Sequence, residues 1–223
     1  MSQPDLFAEN MAENKKEDLP DFSGLFELSV DAYYTALYAQ MSELPIEAEI
    51  SRFINKVKKA GLRLSGDRAA AERTATDRGD HDVLTVLKAA GKVQHEIHRI
   101  TGFLRFNEKA EGIYIARCAP DHCILPVLAD HFTLRFGETP WAIIDEKRNL
   151  CLYRKNNGPA VLIPYIPDFS NAASSPEAEV NTWEDLWRLY YRSINNEPRK
   201  NLHLQRQLMP ERYRRYLPET SNM

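Results

Sequence analysis

The chain changes from helical to strand-like sequence within one stretch, DHDVLTVLKAAGKVQHEIHRITGFLRFNEKAEGIYIAR, which spans residues 80–117. Before Gly102, apolar residues recur at helical spacing, and Asp80 stands where an N-cap is expected. After Gly102, residues 103–106 and 113–117 are typical of a β-hairpin. We therefore expect a helical N-terminal part followed by a sheet-forming middle.

The same patterns, followed in both directions, predict an α+β fold. We expect N-terminal helices, a hairpin–helix–hairpin antiparallel sheet core, and C-terminal helices. The predicted elements are helices over 30–41, 46–61, 66–79 and 80–102, a first hairpin, a helix over 122–136, a second hairpin of 141–145 with 150–154, a proline-flanked edge strand over 161–166, and helices from Trp183 and over 197–208.

Residues 1–21 are polar, acidic and aperiodic, so we expect a flexible acidic arm. Residues 22–219 are expected to form a single α+β domain. Within it, residues 22–101 are helical, residues 102–167 form the hairpin–helix–hairpin part, and residues 182–219 are helical again.

Composition narrows the class of protein. The chain has 223 residues, 43% hydrophobic and 27% charged, which is ordinary for a globular protein. No apolar run reaches the ~18 residues of a membrane helix, and no signal peptide is recognisable. Three cysteines without CxxC spacing argue against a disulfide framework and a zinc site. We expect a soluble cytoplasmic protein.

Phosphate-binding motifs are missing, and nine glycines leave little material for a phosphate-cradling loop. We expect no cofactor and no metal. Glu96 and His98 are candidates for an acid/base pair, with His122 and His131 as further catalytic candidates. A metal site of two histidines completed by Asp121 or Asp145 is a weaker alternative. We favour the structural reading, in which these side chains anchor a helix to the sheet.

Charge is distributed unevenly. Residues 1–31 hold eight acidic residues against two lysines, whereas residues 187–216 hold eight basic residues against two glutamates. Arginines alternate with aromatic residues in the basic segment, as in sites that bind phosphates and stack on bases. The alternative is an amphipathic helix with an aromatic core face and solvated arginines. Our candidates for nucleic-acid binding are Arg105, Arg199, Lys200, Arg206, Arg212, Tyr213, Arg214 and Arg215.

The arm carries a short linear motif. The run QPDLF, residues 3–7, resembles the peptide by which bacterial replication and repair proteins bind the sliding clamp. Leu6 and Phe7 would fill an apolar pocket, Gln3 would hydrogen-bond at its rim, and Asp5 stands where the motif has Ser or Asp. The alternative is an unstructured terminus with two apolar residues that arose by chance.

Several runs follow one another in order: EIHRITGFLRF (96–106), PDHCIL (120–125), DHF (130–132), RF (135–136), WAIID (141–145), LWRLY (186–190), RKN (199–201), Gln205, MPERY (209–213) and LPE (217–219). Together they resemble a bacterial family of unknown function whose members are labelled as DNA metabolism or DNA repair proteins. The resemblance covers about residues 24–219. It departs at Cys123, where Asn is expected, and at 195–198, where a more basic stretch is expected.

The resemblance implies a genomic partnership with a radical S-adenosylmethionine protein, and some members are fused to a uracil-DNA-glycosylase-like domain. This chain has no cysteine triad for an iron–sulfur cluster, so it would be the partner without radical chemistry. The family supplies no roles for the matched positions Glu96, His98, Arg105, His122, His131 and Asp145.

These observations predict a DNA-binding accessory protein of DNA repair whose arm docks on the sliding clamp. Two alternatives stay open. One is a DNA-processing hydrolase, a nuclease or lesion-processing enzyme, that uses Glu96 and His98. The other is a protein adaptor that does not touch DNA.

Overall fold

The computed structural model describes residues 20–62, 67–109, 112–165 and 201–217. The chain divides into two units, of which the first comprises residues up to His98 together with 121–126, and the second comprises residues from Arg99 to Pro120 and from Val127 onward. The predicted α+β class is confirmed: helices lie at both ends of the chain and a five-stranded sheet lies in its middle.

Helices build the first unit, and three of them begin at a capping side chain. The Ser29 hydroxyl accepts a hydrogen bond from Ala32 N at 3.2 Å, and Asp67 accepts one from Ala70 N at 3.0 Å. Asp80 accepts from Val83 N at 3.2 Å, as the predicted N-cap should. The helices are α1 (Leu25–Leu28), α2 (Val30–Met41), α3 (Glu47–Leu62), α4 (Arg68–Ala75) and α5 (His81–Phe103), the last continuing into the second unit.

Small residues let these helices approach one another closely. Ala32, Ala36 and Ala39 of α2 are buried in the same core as Phe53. Gly61 was expected to end its helix, but α3 continues to Leu62. The glycine has a packing role instead, because a Cβ there would lie 2.8 Å from the Leu28 Cδ2 atom.

The sheet of the second unit is mixed, not antiparallel throughout as the sequence suggested. Strand β2 pairs in parallel with β3, in a register that sets Arg117 beside Ile144, while the other neighbouring pairs are antiparallel. The order is β1-β2-β3-β4-β5. The strands are β1 (Asn107–Lys109), β2 (Ile113–Cys118), β3 (Trp141–Asp145), β4 (Leu150–Arg154) and β5 (Val161–Pro164).

The parallel pair follows from the connection between β2 and β3. A parallel connection needs a dozen or more residues and usually contains a helix. Here it contains a 3₁₀ turn (Leu125–Leu128) and α6 (Ala129–Phe136), so the single helix predicted over 122–136 is divided. The Phe132 ring lies 6.2 Å from the Trp141 ring, which anchors α6 on β3.

Two boundaries differ from the sequence prediction. Residues 103–106 are not a strand: α5 runs through Gly102 to Phe103, and Phe106 packs 4.7 Å from the Phe136 ring. After Pro210, where the last helix was expected to end, the chain forms another short helix. The described C-terminal helices are α7 (Leu202–Leu208) and α8 (Glu211–Arg214).

Several sequence predictions fall outside the described residues. These are most of the acidic arm, the helix from Trp183 and the start of the helix predicted over 197–208. The edge position of the strand near residue 161 is confirmed, since β5 pairs with β4 alone among the described strands. Within the part of the chain that the structure describes, no helix is both long and apolar enough to span a membrane.

Candidate nucleic-acid interface

A basic and aromatic cluster surrounds Glu146 in the second unit. We call it the Glu146 cluster and define it as Arg117, Glu146, Tyr165, Arg215 and Tyr216. Arg117 Nη1 lies 3.2 Å from one Glu146 carboxylate oxygen, and the Tyr216 hydroxyl donates to the other at 2.7 Å. Arg215 Nη2 lies 3.5 Å from that second oxygen. One carboxylate therefore gathers two guanidinium groups.

Both arginines also contact an aromatic ring. The Arg117 guanidinium lies 5.7 Å from the centre of the Tyr165 ring and donates to its hydroxyl at 3.3 Å. The Arg215 guanidinium lies 4.6 Å from the centre of the Tyr216 ring and donates to its hydroxyl. Cation–π contacts of this kind restrict both partners. Each exposed arginine of the cluster is thus accompanied by a half-buried tyrosine ring.

The β3–β4 turn places Glu146 in this cluster, and Asp145 shapes the turn. The buried Asp145 carboxylate accepts hydrogen bonds from Lys147 N at 2.9 Å and Arg148 N at 3.2 Å. It also pairs with the Arg148 guanidinium at 2.8 Å. Glu146 N donates to Cys118 O at 2.9 Å, which fixes the turn to the end of β2. Asp145, considered earlier as a metal ligand, thus has a structural role.

The ion pairs of Arg117 and Arg215 with Glu146 are weak enough for both arginines to exchange partners. The Arg117 and Arg215 side chains are 43% and 58% exposed. Ion pairs at such exposure contribute about 0–1 kcal/mol, so a phosphate can displace the carboxylate at little cost. Burial, and next the hydrogen bond to Glu146, raise the pKa of Tyr216, which therefore remains a neutral donor at pH 7. Lys147, the next residue in the turn, is exposed and adds a third positive charge to this region of the chain.

The residues predicted to bind nucleic acid lie in different environments. Tyr213 is 1% exposed, and its ring lies 5.4 Å from Phe103, so it packs in the protein and is not presented to a base. Arg212 is exposed over that tyrosine, with its guanidinium 4.8 Å from the ring centre. The Arg105 Nη1 atom donates to the Gly102 carbonyl at 2.8 Å, near the end of α5.

Of the remaining candidates, one is held in an ion pair, and the others lie partly or wholly outside the described residues. Arg214 is half-buried and pairs with Glu211 at 3.3 Å. Arg206 lies on α7, but its side chain is outside the described part. Arg199, Lys200 and the arm residues Gln3, Asp5, Leu6 and Phe7 lie outside the described residues altogether.

The buried Glu96 carboxylate of the first unit holds the backbone at residues 121–122 by hydrogen bonds. Its two oxygens accept hydrogen bonds from Asp121 N at 2.8 Å and His122 N at 2.9 Å. His98 is exposed, and residues two apart on a helix do not share a face. Glu96 and His98 are therefore not brought together, and the catalytic role suggested for them stays a prediction.

The other two candidate histidines, His122 and His131, lie in different units. His122 Nδ1 is 2.9 Å from the Ser42 carbonyl, and because a carbonyl only accepts, Nδ1 carries the hydrogen. His131 belongs to the second unit, where it is exposed and its ring meets Phe132 edge-on at 4.8 Å. Among the described residues, no group of three or more His, Cys, Asp or Glu side chains is placed to hold a metal ion.

The cysteines are free thiols in the structure. Cys118 and Cys151 are buried, and burial raises the pKa of the Cys151 thiol to about 11. A thiol that stays protonated at neutral pH is a poor nucleophile. Cys151 therefore acts as a small apolar residue of the sheet, consistent with its place beside Ala142 and Ile144 in a small apolar cluster.

Sequence reasoning identified Arg215 but missed its neighbours in the cluster. Arg117 sits in an apolar strand sequence, Glu146 in a polar turn, and Tyr165 after an edge strand. Nothing in their local sequence links them, because the link is made by strand pairing. Tyr216 lay within the arginine–aromatic alternation, which was the one available signal.

Comparison with known proteins places the chain in a family. The chain belongs to the DUF4130 family, a domain of unknown function, which matches residues 53–219. The match begins within α3, includes all five strands and the Glu146 cluster, and leaves α1 and α2 outside. No curated protein and no solved structure matches the chain.

Proposed function

We propose that this protein is a DNA-binding accessory protein of DNA repair or DNA metabolism. The observation that carries the proposal is the Glu146 cluster, in which two exposed arginines each accompany a tyrosine ring. Guanidinium groups bind phosphate oxygens in a bidentate manner, and aromatic rings stack on unpaired bases. A cytoplasmic location fits this role.

The cluster suits phosphate because its internal ion pairs are weak. When DNA binds, Arg117 and Arg215 each exchange a contact with Glu146 for a contact with a phosphate. The net positive charge of the cluster and Lys147 supplies the long-range attraction. Arg212, which is exposed on α8, adds a further positive charge to the second unit.

The test is fluorescence anisotropy with labelled single-stranded and double-stranded DNA across a salt series. Replacing two phosphate-binding arginines should reduce the salt slope by about 1.4 for single strands and about 1.8 for double strands. We expect Arg117→Ala with Arg215→Ala to lower affinity at least about tenfold at low salt.

The matched control is Arg73→Ala with Arg78→Ala. These arginines are exposed in the first unit, and their removal changes the net charge equally. The control pair should bind DNA as the parent does. The proposal fails if the parent does not bind DNA at low salt, or if both double variants lose the same affinity.

The arm and the family resemblance support two finer proposals. The arm tethers the protein to the sliding clamp through residues 3–7, which a clamp pull-down with Leu6→Ala and Phe7→Ala tests; undiminished capture would refute it. The protein also acts beside a radical S-adenosylmethionine enzyme. Co-purification of the two, retained after nuclease treatment, is the expected result, and separation of the two contradicts it.

A further inference from the structure

An exposed aromatic stripe runs along α1 and α2, in the first unit. Phe26, Val30 and Tyr34 are 45%, 47% and 38% exposed, although each is large and apolar. Val30 and Tyr34 stand four residues apart on α2, the spacing at which side chains of successive helical turns are neighbours. Phe26 precedes the extended residue Ser29 and joins them in space, because its ring lies 6.5 Å from the Tyr34 ring. A contiguous apolar stripe of this kind marks an interaction surface more often than a solvated face.

Ring contacts hold the stripe in one arrangement. The Phe26 and Tyr33 rings meet edge-on at 5.4 Å, and Tyr33 meets Tyr34 edge-on at the same distance. Tyr34 stacks with Tyr38 at 6.2 Å. Side chains fixed in this way lose little freedom when a partner covers them, which favours binding.

Acidic residues border the stripe. Glu27 and Asp31 are exposed and follow Phe26 and Val30 by one position each. Residues 20–41 contain no lysine, arginine or histidine. This border repels phosphate, so the aromatic rings are unsuited to nucleic acid, and it equally disfavours an anionic lipid surface.

A groove opens beside the acidic border. It has a volume of about 390 Å³ and is lined by α2, α4 and α5, with Asp31, Thr35, Glu72 and Arg73 among its polar residues. Two carboxylates against one guanidinium leave it net negative. Arg73 is 71% exposed, and its guanidinium comes no nearer than 3.9 Å to the Asp67 carboxylate. Because that ion pair is weak, the Arg73 side chain can turn away from an incoming cation.

We propose that this surface, which we define as the aromatic stripe with Glu27 and Asp31, docks a cationic amphipathic helix of a protein partner. Apolar side chains of that helix lie on Phe26, Val30 and Tyr34. Its lysines or arginines face Glu27 and Asp31, and one of them enters the groove. An elongated apolar stripe suits the apolar face of an amphipathic helix, and the charge complement selects a basic partner. The stripe lies outside residues 53–219, so it adds to the part of the chain that defines the family.

The test uses two labelled amphipathic peptides of about 18 residues, roughly five helical turns. One is built from leucine and lysine, and the other carries glutamate in place of lysine. Anisotropy with the full chain should show binding of the lysine peptide and at least about tenfold weaker binding of the glutamate peptide. Phe26→Ser with Tyr34→Ser should weaken the lysine peptide at least about tenfold, and Asp31→Lys should reduce its advantage over the glutamate peptide.

The matched control is Leu62→Ser with Leu134→Ser, which removes two apolar residues that are 70% and 85% exposed elsewhere on the chain. The control should bind the lysine peptide as the parent does, and unchanged circular dichroism melting shows that each variant folds. Three results overturn the proposal: no binding of the lysine peptide, equal binding of both peptides, or loss of DNA binding in Phe26→Ser with Tyr34→Ser.

Discussion

Tyr216 donates a hydrogen bond to Glu146 at 2.7 Å although 70 residues separate them in sequence. The bond joins the C-terminal segment to the β3–β4 turn. It also places Arg215 beside the carboxylate, because that arginine contacts the same hydroxyl. The carboxylate that organises the two arginines is therefore the group with which a phosphate must compete.

Removal of that negative charge should strengthen DNA binding. In Glu146→Gln, the amide oxygen can still accept from Tyr216, but Arg117 and Arg215 lose their anionic partner and the cluster gains one positive charge. We expect affinity for single-stranded DNA to rise severalfold at low salt and the gain to shrink as salt increases. Anisotropy titrations of parent and variant measure the ratio.

Glu138→Gln is the control for this change, because Glu138 is exposed and bonds Asn157 at 3.4 Å, away from the cluster. It alters net charge by the same amount and should raise affinity less. Equal gains in Glu138→Gln and Glu146→Gln would mean that overall charge, not the cluster, governs binding.

Loss of the Tyr216 hydroxyl should destabilise the fold and change its response to alkali. At pH 7, Tyr216→Phe should lower the free energy of unfolding by about 1–2 kcal/mol, since a hydrogen bond to a carboxylate is lost. Burial and then Glu146 raise the pKa of Tyr216, so its contribution is complete below the unfolded value of about 10 and is lost as pH rises toward the folded value. Urea unfolding between about pH 8 and 11 measures both effects.

In that series the difference between parent and Tyr216→Phe should narrow above about pH 10. The other tyrosines titrate in both proteins and cancel in the comparison. A difference that stays constant through this range would show that Tyr216 keeps its ordinary pKa.

Glu96 should matter for stability more than its neighbour His98. Glu96→Ala leaves the backbone N–H groups of Asp121 and His122 without their carboxylate, which should cost about 3 kcal/mol of unfolding free energy. Glu96→Gln retains one acceptor and should cost about half as much. His98→Ala, at an exposed position, should cost less than Glu96→Ala. Urea unfolding at pH 7 compares the three variants.

The same variants separate structure from catalysis. If the purified protein cleaves DNA and His98→Ala abolishes cleavage without changing stability or binding, the hydrolase interpretation gains support over the accessory role. If Glu96→Ala is as stable as the parent, the bracing role assigned to Glu96 is wrong.

The carboxylates at the start of α5 should make stability sensitive to acid. Hydrogen bonds from Arg52 and then Lys56 lower the pKa of Asp82 to about 2. A lowered pKa stabilises the fold above the unfolded value of about 3.9, and this contribution disappears as pH falls through about 2. Lys56→Met removes one donor, so the loss of stability between about pH 4 and 2 should be shallower than in the parent.

Thermal unfolding at several acidic pH values checks this expectation. Lys59→Met is the control, because Lys59 is exposed on the same helix. Its acid profile should match that of the parent. Parallel profiles for Lys56→Met and the parent would show that the contacts to Asp82 and Asp80 do not persist in solution.

The helices and strands that depend on residues close together in sequence could be predicted from the sequence. Strands β3 and β4 follow from two β-prone runs joined by a polar turn, and α2 follows from apolar spacing after Ser29. The Asp80 cap was predicted for the same reason, since a cap acts within three residues.

Long-range geometry was not predictable in this way. The parallel pairing of β2 with β3 depends on the path of the intervening chain, which composition does not encode. The position of Arg117 beside Glu146 follows from that pairing, so it was missed together with it. Tyr213 was misplaced for a related reason: an arginine–aromatic alternation does not tell which rings the core will bury.

Among the described strands, β5 forms one edge of the sheet, and it ends at Pro164, which has no N–H to donate to a further strand. Tyr165 N donates inward to Asn149 O at 2.7 Å, so by alternation the nitrogen of Pro164 points outward. A foreign strand that approached β5 would find no N–H at that position, and Leu162 would offer the last outward donor. Two molecules meeting at this edge would therefore form an interrupted ladder of hydrogen bonds, which disfavours fibrous aggregation even though Val161 and Ile163 leave the edge apolar.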